Sequence, residues 1–88
     1  MNKATDPILE TLHRASGLYM SRGDINFTIQ LRPGDQPSKQ TVYNAFEDLT
    51  RYGLVEKKEN GSPRFRSTDR AEDYLDGELD ASRIEPVD

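Results

Sequence analysis

The chain contains no cysteine, which excludes a disulfide framework and a thiolate metal site. Its single histidine, His13, cannot build a zinc centre alone. No apolar run approaches the ~20 residues that a membrane-spanning helix needs. The first residues, MNKATDP, lack the apolar core of a secretory signal, so a cytoplasmic protein is expected. There is no Ser-His-Asp set, no glycine-rich phosphate loop and no ligand cluster, so no enzyme, cofactor or metal is expected. Apolar residues are only 33% of the 88. That supports one domain with a thin core, and it makes a partner chain that covers more apolar surface an expected feature.

Charge is scarce in neither sign, but it is unevenly placed. The net charge is −4. Residues 38–70 hold seven basic and five acidic side chains, whereas residues 71–88 hold Arg83 against seven acids. Overall acidity counts against nucleic acid as a partner, and the mildly basic middle counts for it.

The stretch Ser38 to Val55 carries the clearest signal. Ser38 can cap a helix by accepting an orphan backbone N–H. Val42, Ala45, Phe46 and Leu49 then fall at i, i+3, i+4 and i+7, one face of an α-helix. Gly53 sits where a helix-ending glycine belongs, and Leu54-Val55 starts a strand. The opposite face carries Lys39, Gln40, Tyr43, Asn44 and Glu47, either a recognition surface or an ordinary solvated face. Phe46 is predicted to meet Leu9, Leu12, Ile25 and Leu54 at the centre of the domain.

The neighbouring segments supply context. Asp6-Pro7 is expected to open a first helix, with Asp6 as cap and Pro7 at its first position. Ile8, Leu9, Leu12 and Ala15 form its stripe, Gly17 closes it, and His13 lies beside the stripe as a boundary or surface residue. Leu18-Tyr19-Met20 suits a brief strand. Ser21 followed by Asp24 starts a second helix over 22–31, although Ile25, Phe27, Ile29 and Leu31 also alternate as a strand would. RPGDQP (32–37) is a loop on composition. Asn60-Gly61 predicts a hairpin with a two-residue type I′ turn, Phe65 pointing inward and Lys57, Lys58, Arg64 and Arg66 on its arms. Thr68 caps a last helix with Ala71, Tyr74 and Leu75 on its apolar side, weakened at Gly77. Residues 78–88 read as an acidic, flexible tail following a domain over 1–77.

This order of helix, helix, loop, helix, two-stranded wing and helix resembles the winged helix-turn-helix fold, an α+β class that is mainly α. The marks are Leu49-x-x-x-Gly53-Leu54-Val55 and Phe65-x-x-Thr68 with Tyr74-Leu75. Within that superfamily the ending TDRAEDYLDGE (68–78) is similar to that of the haloarchaeal phage phi-H repressor-like proteins, which often have glycine where this chain has Ala71. The resemblance implies an archaeal, repressor-like transcriptional regulator that binds duplex DNA as a homodimer. On it, the third helix would enter the major groove with Ser38, Lys39, Gln40, Tyr43 and Asn44. Gln40 and Asn44 have the paired donor and acceptor that suits adenine. Lys57, Lys58, Arg64 and Arg66 would hold phosphates or probe the minor groove, with Arg22 and Arg32 as flanking contacts. The thin core, together with Leu18, Tyr19, Tyr74, Leu75 and Leu79 left over, predicts the two-fold dimer, with the last helix, alone or together with the first, as its contact. A winged-helix module that touches only proteins is the competing reading.

Overall fold

The computed structural model describes residues 3–75. Four helices and three short strands follow in the order α1 (Thr5–Arg14), β1 (Met20–Ser21), α2 (Arg22–Gln30), α3 (Lys39–Arg51), β2 (Val55–Asn60), β3 (Ser62–Ser67) and α4 (Asp69–Leu75). The strands form one antiparallel sheet in the order β1-β3-β2. The chain is thus α+β and mainly helical. The expected strand near Met20 is present as the third strand of the sheet, and residues 22–30 are helical rather than extended. Gly77 and the acidic stretch 78–88 lie outside the described residues.

The caps explain the helix limits. Ser21 Oγ accepts the Asp24 N–H at 3.1 Å and starts α2. Ser38 Oγ accepts the Thr41 N–H at 3.2 Å and starts α3. At the other end of α3 the Leu54 N–H reaches Leu49 O at 2.9 Å and the Gly53 N–H reaches Thr50 O at 3.1 Å. This pair of bonds closes the helix over Gly53, whose φ of +74° suits a residue without Cβ. Thr68 then fastens the far end of the sheet to this corner. Its hydroxyl donates to Gly53 O at 2.6 Å and its N–H to Leu54 O at 3.2 Å. The same Oγ1 lies 3.4 Å from the Ala71 N–H and caps α4.

α1 departs from the expected start. It begins at Thr5 after Ala4, with no side-chain cap. Ala4 is fully buried, so packing rather than capping sets this end. Asp6 lies in the first turn, where its charge favours the helix dipole. Its carboxylate is also spoken for: Tyr74 Oη donates to Asp6 Oδ1 at 2.8 Å and ties α4 to α1.

The hairpin register also differs from expectation. A two-residue turn at Asn60-Gly61 would pair Glu59 with Ser62, but the observed pairs are Asn60 with Ser62 and Glu59 with Pro63. Gly61 alone occupies the tip, with φ +90°. The reason is the core. Val55 and Phe65 are both buried, and only an odd-length loop places them on one face of the hairpin. The two-residue turn would send one of them to solvent, since a slip of one residue inverts every side chain of a strand.

That face closes a single core. Ile8, Leu9 and Leu12 from α1, Ile25 and Ile29 from α2, and Val42, Ala45, Phe46 and Leu49 from α3 meet Leu54, Val55, Phe65 and Ala71. Phe46, 2% exposed, joins the helices to the sheet, its ring 4.5 Å from that of Phe65 and inclined at 38°. Leu9, Leu12, Ile25 and Leu54 belong to the same cluster, as expected for Phe46 at the centre. Tyr74 and Leu75 pack against this core from the side. Among the described residues, the large apolar side chains left exposed are Leu18, Phe27 and Leu31, at 70%, 66% and 69%.

Candidate functional site

α3 and the inner face of the hairpin enclose an open concave surface whose lining includes Arg22, Gln40, Tyr43, Asn44, Glu47 and Lys57. The buried stripe of α3 forces this arrangement: once Val42, Phe46 and Leu49 turn inward, Gln40, Asn44 and Glu47 must point out. Gln40 Nε2 donates to Asn44 Oδ1 at 3.0 Å. The pair sits one turn apart, so each amide restrains the other while keeping further donors and acceptors free.

Tyr43 is the centre of this surface. The Arg22 guanidinium lies 4.9 Å from its ring centroid and Lys39 Nζ 5.4 Å away. Arg22 is the first residue of α2, so the Ser21 cap that starts α2 also aims it at α3. Neither cation has an ion-pair partner among the described residues. Both therefore keep their charge available to an anion, while the ring holds them in place at about 0.5–1 kcal/mol each, as for exposed cation–π pairs.

Of the expected contacts, Ser38 serves as the α3 cap, and its Oγ also lies 3.0 Å from Thr41 Oγ1. Arg32 is engaged elsewhere, its Nη2 2.7 Å from Glu10 Oε2. The four basic side chains of the hairpin do not form one cluster. Lys57 lies opposite Phe65 on the inner face and faces α3. Its Nζ is 2.8 Å from Glu59 Oε1, and this hydrogen bond, then the ammonium charge, holds the exposed Glu59 carboxyl below its usual range. Lys58, Arg64 and Arg66 occupy the outer face.

On that outer face stands Tyr19, expected from the sequence as part of a brief strand and as apolar surface, and not as a partner of the hairpin cations. Lys58 Nζ is 5.4 Å and the Arg66 guanidinium 5.1 Å from its ring centroid. Glu56 takes the Arg66 Nε at 2.5 Å, and this bond raises the guanidinium's already high pKa further. Lys58 and Arg64 are direct cross-strand neighbours. Neither is ion-paired among the described residues.

His13 is exposed, its Nδ1 3.8 Å from Glu72 Oε1 on α4. Among the described residues no group of three or more His, Asp or Glu could hold a metal ion, and no helix is long and apolar enough to cross a membrane. No family model, curated protein or solved structure matches the chain.

Proposed function

We propose that this chain is a winged helix-turn-helix transcriptional regulator of the repressor-like kind, binding duplex DNA with α3 in the major groove. The observation that carries the reading is the α3 surface itself. Two hydrogen-bonded amides, Gln40 and Asn44, stand beside Arg22 and Lys39 held over Tyr43. Amides read base edges, adenine above all, and unpaired cations hold phosphates on either side. β2 and β3 are the wing, and Lys57 extends the α3 surface along it. The similarity of the GLV corner and the TDRAEDYLDGE ending to the haloarchaeal phage phi-H repressor-like proteins supports the same reading.

A homodimer is part of the proposal. Tyr74 and Leu75 are taken up by contacts within the chain, and Leu79 lies outside the described residues. Leu18, Phe27 and Leu31 are the apolar surface that supports self-association instead. The same three residues are what favours the alternative of a winged-helix module that contacts only another protein. Selection of bound sequences from random duplexes, followed by titration at several salt concentrations, separates the two. A site bound more tightly than random DNA, with a log K that falls as log salt rises, is the expected outcome. Failure to bind any duplex at low salt removes the DNA reading.

A further inference from the structure

The sheet presents its two faces to different surroundings. Odd-numbered residues of the hairpin, Val55, Lys57, Phe65 and Ser67, share the face that meets the core and α3. Even-numbered ones, Glu56, Lys58, Arg64 and Arg66, share the opposite face with Tyr19. Three cations stand there against Glu56, and Glu56 is occupied by Arg66. Lys58 and Arg64 are left directly opposite each other on adjacent strands, an arrangement of like charges that destabilises a sheet unless an anion lies between them. With Ser62 and Tyr19 they line a recess of about 310 Å³ at the outer face.

The recess lies on the face of the hairpin opposite to the one turned towards α3, so a duplex seated on α3 meets the other face. The major groove of that duplex would receive α3 and face the inner side of the hairpin. The recess also suits phosphate better than an acidic polypeptide. It offers no apolar pocket for a peptide anchor, because both cations at Tyr19 lie over its ring. Among the described side chains that line it there is no amide that would read a base.

We infer that the outer face of the sheet, through Lys58 and Arg64 with Tyr19 positioning Lys58, is a second, sequence-blind binding surface for the phosphate backbone of a separate DNA duplex, so that one protein molecule bridges two duplexes. The inference rests on the proposed DNA-binding role of α3.

The test uses the full chain, a bead-bound duplex carrying the selected site and a labelled random duplex in solution. The wild type captures the labelled duplex in a salt-sensitive way. The exposed charge reversals Lys58→Glu and Arg64→Glu together abolish capture but leave the salt slope for the selected duplex close to wild type. Tyr19→Leu weakens capture, and Tyr19→Phe, which keeps the ring, restores it. Four results overturn the inference. One is a wild type that shifts the selected duplex yet captures no second one. Another is capture that survives the reversals, which would come from the α3 surfaces of two associated copies. A third is a fall of about 1.8 in the salt slope for the single selected duplex, ~0.9 per phosphate, which would place both cations on the first duplex. The fourth is reversal-sensitive binding of polyglutamate without capture of duplex, which would make the face a dock for acidic protein. If no duplex is shifted at all, the DNA-binding role itself fails, a result distinct from the other four.

Discussion

Tyr43 and Tyr19 each hold two cations against the ring, at 4.9 and 5.4 Å in one case and 5.1 and 5.4 Å in the other. The two clusters differ in what stands beside them. Next to Tyr43 are the amides of Gln40 and Asn44, joined at 3.0 Å. Next to Tyr19 is the Glu56 carboxylate, which neutralises Arg66 and leaves Lys58 and Arg64 as the available charge. The first combination carries the donors and acceptors that suit base edges; the second offers charge to an anion. The aromatic–cation arrangement is therefore a means of holding charge in place, and the neighbouring side chains decide what the charge is used for.

The largest effect is expected where the two clusters are joined. Phe46 packs on Phe65 and so holds α3 to the sheet. Phe46→Ala is expected to cost about 3–5 kcal/mol, the usual range for a buried phenylalanine. In a domain whose total stability is about 5–15 kcal/mol this disables both clusters together. Thermal melting checks it: a variant melting within a few degrees of wild type would show that Phe46 does not make this joint.

The comparison sharpens at Asn44. Asn44→Ala or Gln40→Ala is expected to cost about 1–3 kcal/mol on the selected duplex and almost nothing on random DNA, because a base contact is lost and no phosphate contact. Competition titration of the two duplexes reads the difference. An equal loss on both would assign these amides to the backbone and erase the contrast with the Tyr19 side.

The corner between α3 and β2 offers a smaller perturbation. Gly53 has φ +74°, where a Cβ crowds the following carbonyl. Gly53→Ala should destabilise the fold by about 1–2 kcal/mol in denaturant unfolding. An unchanged midpoint would mean that the corner adapts without strain.

The mildest prediction leaves both clusters intact. The Tyr74 phenol is pushed up to about 12 by partial burial first, then by its hydrogen bond to Asp6 and by the charge of that carboxylate. A phenol in an unfolded chain ionises near 10. Because the folded value is the higher one, the stabilising contribution is present in full below about pH 10 and is lost as pH rises towards 12. Urea midpoints across this window should fall for wild type and fall less for Tyr74→Phe. Parallel decline of the two proteins would show that other groups govern alkaline unfolding.

Much of the local structure was legible in the residues. The caps at Ser21, Ser38 and Thr68, the stripe Val42-Ala45-Phe46-Leu49 and the closing Gly53 depend on interactions within a turn or two, so short stretches suffice to specify them. The hairpin is more instructive. Adjacent Lys57 and Lys58 had to point to opposite faces of a strand, and Arg64 and Arg66 to the same one. Which lysine joined the arginines depended on the register. The Asn-Gly turn signal favours Lys57 opposite Arg64, while burial of both Val55 and Phe65 requires Lys58 opposite Arg64. Burying two large apolar side chains outweighs a turn preference, because each is worth about 1.5–3 kcal/mol.

By itself, then, the sequence determined the order of the elements, the caps of α2, α3 and α4 and the buried stripe of α3, since these follow from periodicity and local hydrogen bonding, whereas the uncapped start of α1 and the choice of helix over strand for residues 22–30 came with the packing. Only the tertiary structure decided how the charges are partnered. Arg22 reaches Tyr43 across the packing of α2 on α3, Arg32 is drawn to Glu10 by that of α2 on α1, and Lys58 and Arg66 meet Tyr19 through the pairing of the sheet. A charged side chain is long, carries no strong preference for one partner, and takes whichever neighbour the core brings near it. That choice is made when the apolar faces close, and it divided four hairpin cations that adjoin in sequence between two surfaces that face apart.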